Sequence, residues 1–234
     1  MNIEAFIIAW NESETIHLTI KHYQKYCSKI TIFDNFSDDN TREIAESMGC
    51  YVKLFGIQGL LSDQEYIKVK NNCWKESKAD FVVVCDADEI LDLSFIQDTN
   101  ATIIKTFGWN VHSTSLPINS WLEQTTGVYD KNYSKSALFS PKLKEIGYIY
   151  GCHDCKPIGN VSYSEFTVPL FHYRNAGGSY RLVKRHALYR PRLAPINKKW
   201  NLGEHYNHED ERRIREWKER FERSVEFSPG FILQ

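Results

Sequence analysis

Four short apolar runs punctuate the first part of the chain. They are Ala5-Phe6-Ile7-Ile8-Ala9-Trp10, Ile30-Thr31-Ile32-Phe33, Tyr51-Val52-Lys53-Leu54-Phe55 and Val82-Val83-Val84-Cys85. Their length and β-branched or aromatic content predict strands, and the unbroken apolar runs predict burial on both faces of a parallel sheet. Between them the rhythm changes to helical. Ile16, Ile20, Tyr23 and Cys27 make one apolar stripe, with Asn11 or Ser13 as the expected cap. A second helix is expected from Thr41 to Met48, stopped by Gly49, and a third from about Ser62 to Ser77. Strands alternating with helices imply right-handed crossovers and a mostly parallel α/β sheet with helices on both faces.

The rhythm loosens after Asp92. A strand is expected from Trp109 to Pro117, then a polar loop from Asn119 to Lys135 lying over a cleft. Short extended pieces follow at Phe139–Leu143, Gly147–Tyr150 and Phe166–Leu170. Tyr180 to about Arg190 reads as a basic helix ended by Pro191 and Pro195. His205 to Val225 reads as a charged helix with a narrow stripe of Ile214, Trp217, Phe221 and Val225. The expected organisation is residues 1–92 as an α/β half, 93–178 as the second half of the same domain, and 179–234 as a C-terminal helical extension.

The candidate chemistry sits where the strands end. Val82-Val83-Val84-Cys85 runs directly into Asp86-Ala87-Asp88-Glu89. Open α/β sheets bind ligands at the carboxyl ends of their strands. Asp86 and Asp88 alternate along an extended chain, so both can point to one side. Converging carboxylates suit a hard divalent cation and, through it, a phosphate. The plain alternative is a strand that runs into an acidic surface turn.

Three motifs occur in order at successive strand ends: Ala9-Trp10-Asn11-Glu12, then Asp34-Asn35-x-Ser37-x-Asp39-x-Thr41, then Asp86-Ala87-Asp88-Glu89. Together they resemble a family 2-type glycosyltransferase of the GT-A fold, a Rossmann-like nucleotide-diphospho-sugar transferase with a D-x-D motif. The resemblance covers residues 3–92 and implies that residues 1–92 are the nucleotide-sugar-binding half and 93–178 the acceptor and metal half of the same domain. It continues more loosely through Gly151-Cys152-His153, Phe171-His172-Tyr173 and Arg185-His186-x-x-Tyr189-x-Arg192. It implies that Asp34 contacts the nucleobase or ribose, Asp86 the ribose or metal, and that Asp88 ligates Mn²⁺ or Mg²⁺. Asn11, Glu12, Lys70 and Asn71 fall at positions that reach the nucleotide, and His172 and His153 at positions near the diphosphate.

The implied activity is metal-dependent transfer of a sugar from a nucleotide-activated donor, a UDP-sugar first among the candidates, to a hydroxyl acceptor. The acceptor would be a carbohydrate or glycolipid such as a growing glycan, as in polysaccharide biosynthesis by a hexosyltransferase. In an inverting enzyme one carboxylate deprotonates the acceptor. Asp154 and Glu145 are the candidates, because they fall where the family places that base. A retaining enzyme needs none.

Histidine and arginine extend the site. An imidazole at His172, with His153 as fallback, would add nitrogen to a carboxylate metal site, as Mn²⁺ tolerates. The alternative is a buried, hydrogen-bonded ring. Arg181, Lys184 and Arg185 share one helical face and could hold a diphosphate, or else form a solvated basic surface.

Composition narrows the partners. The 234 residues carry 29 Lys+Arg against 30 Asp+Glu, a net charge of −1 that argues against nucleic-acid binding. No apolar run is long enough to span a bilayer, and the N-terminus lacks the basic start of a secretion signal. A cytoplasmic location is expected, with peripheral contact at the membrane's cytoplasmic face as an option. The six cysteines are read as free thiols. Cys152 and Cys155 form a lone C-x-x-C without the second pair that zinc requires. Oligomeric state is left open.

Two other activities share parts of the pattern. A haloacid dehalogenase-like phosphatase also ends a strand in D-x-D, but at the start of its chain, and leaves the Asp34 loop unexplained. A sugar nucleotidyltransferase would carry a glycine-rich loop where this chain has Trp10-Asn11-Glu12.

Overall fold

The computed structural model describes residues 1–114, 118–121 and 123–227. Four parallel strands build the N-terminal half: β1 (Ile3–Ala9), β2 (Lys29–Asp34), β3 (Tyr51–Leu54) and β4 (Phe81–Asp86), in the order β3-β2-β1-β4. Helices α1 (Ile16–Tyr23), α2 (Thr41–Ser47) and α3 (Asp63–Asn72) connect them. Along β1 the side chains alternate between two cores. Ala5, Ile7 and Ala9 pack with Ile16, Ile20, Tyr23 and Ala45 of α1 and α2. Phe6 and Ile8 pack on the other face with Val69 of α3 and with Trp74. Helices therefore cover both faces, and burial on both sides is why β1 beyond Glu4 and β4 up to Asp86 carry no polar residue.

The second half makes the sheet mixed. The short β5 (Glu89–Leu91) follows the acidic motif, then come β6 (Ile103–His112), β7 (Thr126–Tyr129), β8 (Leu138–Phe139), β9 (Tyr163–Asn175) and β10 (Val225–Glu226). β8 pairs antiparallel with β4 and with β6, and β7 pairs antiparallel with β6. β6 and β9 pair parallel. β9 also runs antiparallel to β5, which sets His172 opposite Glu89. The parallel order of the first half, the antiparallel additions after β4 and the helical C-terminal segment are the GT-A arrangement that the motifs led us to expect.

The C-terminal segment carries α4 (Gly178–Tyr189), α5 (Pro195–Lys199) and α6 (Asp210–Glu222). It folds back over the carboxyl ends of the strands. Leu193 forms a bridge with Leu61, and the Asn197 amide donates to Asp63 Oδ1 at 2.8 Å. Arg192 donates to the Asn35 side-chain oxygen at 2.6 Å and lies 3.5 Å above the Trp10 ring.

Several local expectations shift. α1 starts at Ile16, and neither Asn11 nor Ser13 caps it. Asn11 instead adopts φ 51°, which asparagine tolerates, and locks onto the neighbouring loop: its Nδ2 donates to Asp38 Oδ1, and Asp38 N–H donates to its Oδ1. α3 ends at Asn72, short of Ser77, and the strand expected at 109–117 ends at His112. Residues 115–117 of that expectation lie outside the described residues. The long C-terminal helix is confined to α6, with a short 3₁₀ turn at Glu204–Asn207 ahead of it.

Candidate functional site

β1 and β4 end side by side, and the returning C-terminal segment roofs them. A cavity of about 420 Å³ lies between, lined by the acidic motif and by Glu12, Lys70, His172, Arg174 and Arg185. A larger hollow of about 580 Å³ occurs near Met1, Asp80 and Phe81, at the amino ends of β1 and β4. The catalytic assignment goes to the first, because there the strand-end acids and buried cations converge.

The acids are held in a graded set of ion pairs. Lys70, almost fully buried, reaches from α3 and places its Nζ 2.7 Å from Asp86 Oδ1. Burial pushes the Asp86 carboxyl up, but Lys70 and Lys135 outweigh it and hold the group at about 2. Asp86 therefore stays ionised at neutral pH. Its own N–H donates to Glu89 Oε2 at 3.0 Å. Glu89 in turn pairs with Lys135 at 2.5 Å, with both side chains under 5 % exposed. The last acid of the motif thus braces the first.

Asp88 sits deeper, 6 % exposed. Its Oδ2 is 3.5 Å from Arg185 Nη2, and its Oδ1 is 3.8 Å from His172 Nε2. Burial raises its pKa, but the Arg185 and Arg174 guanidinium groups oppose the rise and the net shift is downward. Arg185 is itself steered by Glu12 through two hydrogen bonds of 2.6 and 2.8 Å. That bidentate grip is tighter than the contact to Asp88, so Glu12 orients the guanidinium while Asp88 sees its charge. Burial raises the Glu12 pKa and Arg185 opposes the rise.

His172 comes from β9. Its Nδ1 lies 3.3 Å from the side-chain oxygen of Asn110, which also accepts the Asn175 amide at 2.8 Å. An amide oxygen cannot donate, so the proton belongs on Nδ1 and Nε2 carries a lone pair toward Asp88. Tyr133 stacks on the ring at 4.0 Å, fixing its plane. Burial pushes its pKa down to about 3, keeping the ring neutral. A neutral imidazole whose second nitrogen is anchored is the usual state of a metal-binding histidine.

The donor set allows for a cation. Among the described residues no group of three or more His, Cys, Asp or Glu side chains is arranged to hold a metal alone. A magnesium or manganese ion in a diphosphate site commonly takes only one or two protein ligands, with the rest from phosphate and water. Asp88 and His172 meet that requirement. His153 is exposed at the cavity rim, its Nδ1 2.9 Å from the Asn132 carbonyl.

Other expected site residues go elsewhere, each for a visible reason. Asp34 is completely buried, and its carboxylate accepts Ser37 N–H at 2.8 Å and Ser37 Oγ–H at 2.5 Å. It shapes the loop after β2 and is absent from the cavity lining. Asn71 clasps the Tyr148 backbone, accepting its N–H at 2.8 Å and donating to its carbonyl at 3.1 Å. Arg181, one turn before Arg185, is buried against the Ala176 carbonyl at 3.3 Å and Glu14 at 3.5 Å. Neither candidate base lines the cavity. Glu145 pairs with Lys75 at 3.0 Å, and Asp154 takes the next residue's N–H at 2.8 Å.

Sequence reasoning missed Arg174 and the ring of tyrosines. Arg174, two residues after His172, lies 4.9 Å from the Tyr206 ring centre and lines the cavity with Tyr66, Tyr133 and Tyr189. A high aromatic content was the only hint, and nothing in the local pattern separates these rings from core packing.

The comparisons with known proteins now fit this geometry. A family model described as glycosyl transferase family 2 matches residues 5–111, which span all three strand-end motifs. The match covers just under half of the chain, from β1 through most of β6. It agrees with the resemblance that the motifs carry. No curated protein matches the chain.

Among solved structures, one similar chain is glucosyl-3-phosphoglycerate synthase from Mycobacterium tuberculosis, in complex with Mn²⁺, UDP and glucosyl-3-phosphoglycerate. It is 18 % identical over 46 % of this chain and 44 % of that one, with a TM-score of 0.35. Mannosyl-3-phosphoglycerate synthase from Rubrobacter xylanophilus is 16 % identical over 48 % and 41 %, with a TM-score of 0.34. S. aureus TarS is 14 % identical over 60 % and 28 %, with a TM-score of 0.38. The chain thus spans less than half of each of those lengths. At such low scores the fold assignment rests on the strand order and the family match. All six cysteines are free, and no helix among the described residues is long and apolar enough to cross a membrane.

Proposed function

We propose that this protein is a glycosyltransferase that takes a sugar from a nucleoside-diphosphate donor and passes it to a hydroxyl acceptor. One observation carries the reading: Asp86 and Asp88 stay ionised inside a cavity at the strand ends, flanked by Lys70 and Arg185. Paired acids with cations beside them match a diphosphate held through a divalent cation, and the family 2 match spans the same motifs.

The residues divide the work. Asp88 and His172 would hold Mn²⁺ or Mg²⁺, which would offset charge gathering on the departing diphosphate. Arg185, oriented by Glu12, offers a fixed cation for the remaining phosphate charge. Lys70 keeps Asp86 ionised and aligned at the end of β4. Trp10, Tyr66 and Tyr189 give the cavity flat apolar walls for a base or sugar ring. A UDP-sugar donor is the first choice to test, with a carbohydrate or glycolipid acceptor.

The test is calorimetric titration of UDP, GDP, CMP and dTDP, each with and without Mn²⁺. One nucleotide should bind at micromolar strength only with the cation, and Asp88→Asn should abolish the cation's effect. Binding of none of the four would overturn the reading.

A further inference from the structure

We propose that the acceptor carries a phosphate group, and that this group docks in a second, cationic hollow beside the donor cavity. The inference rests on the glycosyltransferase reading and names its acceptor class. The hollow has a volume of about 280 Å³ and lies between β9, α4 and α6. Tyr133, His153, Arg174 and His205 line both spaces, so the two are contiguous. A molecule anchored in the hollow could extend a hydroxyl past Arg174 toward Asp88.

Charge points to an anion. Arg174, Arg213 and Arg220 line the hollow, and Glu216 is the single acid among its lining residues. Arg213 binds Glu216 at 3.1 Å, but Glu216 is also shared with Arg212 at 2.8 Å. Arg174 and Arg220 have no ion pair among the described residues. Three guanidinium groups against one carboxylate leave two positive charges, which a phosphate monoester dianion would cancel. Arg174 is half-buried and has no ion pair among the described residues, which is costly, so an anionic ligand beside it would stabilise this arrangement.

Unused donors point the same way. The side-chain nitrogens Nε of Arg213 and Nδ1 of His186 are buried without a hydrogen-bond partner among the described residues. His186 Nε2 faces Arg174 Nη2 at 3.4 Å. Arginine can only donate, so His186 accepts there and its proton sits on Nδ1. The Arg213 guanidinium also donates to the His205 carbonyl, which ties α6 to the segment above the cavity. Two buried N–H groups that miss a partner belong to side chains lining a cationic hollow, where an oxyanion would supply acceptors.

The experiment titrates inorganic phosphate into the full chain at pH 7, with malonate as a parallel carboxylate probe. It uses the native protein, Arg213→Gln, Arg220→Gln and Arg185→Gln. Arg220 is exposed, so its replacement guards against a variant that fails to fold. Phosphate affinity should fall about tenfold in Arg213→Gln and in Arg220→Gln, as loss of a charge-assisted hydrogen bond implies. It should change little in Arg185→Gln. UDP affinity with Mn²⁺ should show the reverse pattern, falling in Arg185→Gln and changing little in Arg213→Gln and Arg220→Gln. Loss of phosphate binding only in Arg185→Gln would place the anion in the donor cavity and overturn the proposal. So would equal affinity in all four proteins, no binding at millimolar phosphate, or tighter binding of malonate than of phosphate. If UDP fails to bind while phosphate behaves as expected, the donor reading falls and the anion site stands.

Discussion

Lys135→Met should destabilise the protein more than any loss of a surface charge. Lys135 reaches Glu89 at 2.5 Å, with side-chain exposures of 3 % and 2 %. Removing the lysine leaves Glu89 as a buried anion with one remaining partner, the Asp86 N–H at 3.0 Å. Breaking a buried pair in this way costs about 3–5 kcal/mol. For a domain of this size that is a fall in Tm of about 6–20 °C. Pairing the change with Glu89→Gln removes the stranded charge yet keeps an oxygen for the Asp86 N–H. The double variant should therefore recover about 2–3 kcal/mol relative to additive single changes. Urea unfolding followed by tryptophan fluorescence measures all four states of the cycle. A loss below about 1 kcal/mol for Lys135→Met, or additive behaviour in the double variant, would refute the claim that this pair braces the acidic motif.

Asp88→Asn should lower turnover about 100-fold, equivalent to about 2.7 kcal/mol of transition-state stabilisation, with retained circular dichroism; near-native activity in initial-rate assays would remove Asp88 from the chemistry. Glu12→Gln should weaken nucleoside-diphosphate binding without touching the nucleoside, because Arg185 loses its bidentate anchor; calorimetry with uridine and UDP separates the two effects. Acid should destabilise the fold through neutral buried histidines. Burial lowers His112 to about 4 and His186 to about 2, so the folded state refuses protons that the unfolded chain accepts below about 6.5. Their stabilising contribution is full above that value and is lost as pH falls, by about 2 kcal/mol each between pH 7 and 5. Urea midpoints across that range should drop in the native protein and drop less in His186→Gln.

The first half of the fold was legible because two independent signals agreed. Apolar runs of strand length alternated with helical stripes, and three of the four predicted strands ran into polar motifs at their carboxyl ends. Asp86, Asp88 and His172, singled out from the sequence, come together at the lining of one cavity. The second half was less legible for a physical reason. Its strands pair antiparallel and are short, and their register depends on distant partners. β8 has only two residues, yet it joins β4 to β6. Polar side chains near the site were harder still. Arg181 and Arg185 sit four residues apart on one helix face, so spacing treats them alike. Only Arg185 reaches Glu12 and Asp88; Arg181 lies a turn earlier and is spent on Glu14 and a backbone carbonyl. Asp34 and Asn71 pose the same difficulty, because polar residues that organise loops look like polar residues that contact ligands.

The C-terminal segment explains why the site needs the whole described chain. Arg192 ties it to Asn35 beyond β2, Asn197 to Asp63 at the start of α3, and Trp217 Nε1–H to the Asn175 carbonyl at the end of β9. These contacts touch three different strand-end regions, so the roof is fixed only when the parallel half and β9 are both formed. Arg185 and Arg190 ride on the same segment. Arg185 faces inward to Glu12 and Asp88, whereas Arg190 faces back to the Tyr206 carbonyl at 2.9 Å and Asp210 at 3.1 Å. One guanidinium serves the cavity and the other holds the roof that presents it. α6, remote in sequence from every acidic motif, lines the cationic hollow through Arg213, Glu216, Trp217 and Arg220, and holds the roof of the first cavity through the Arg190–Asp210 pair.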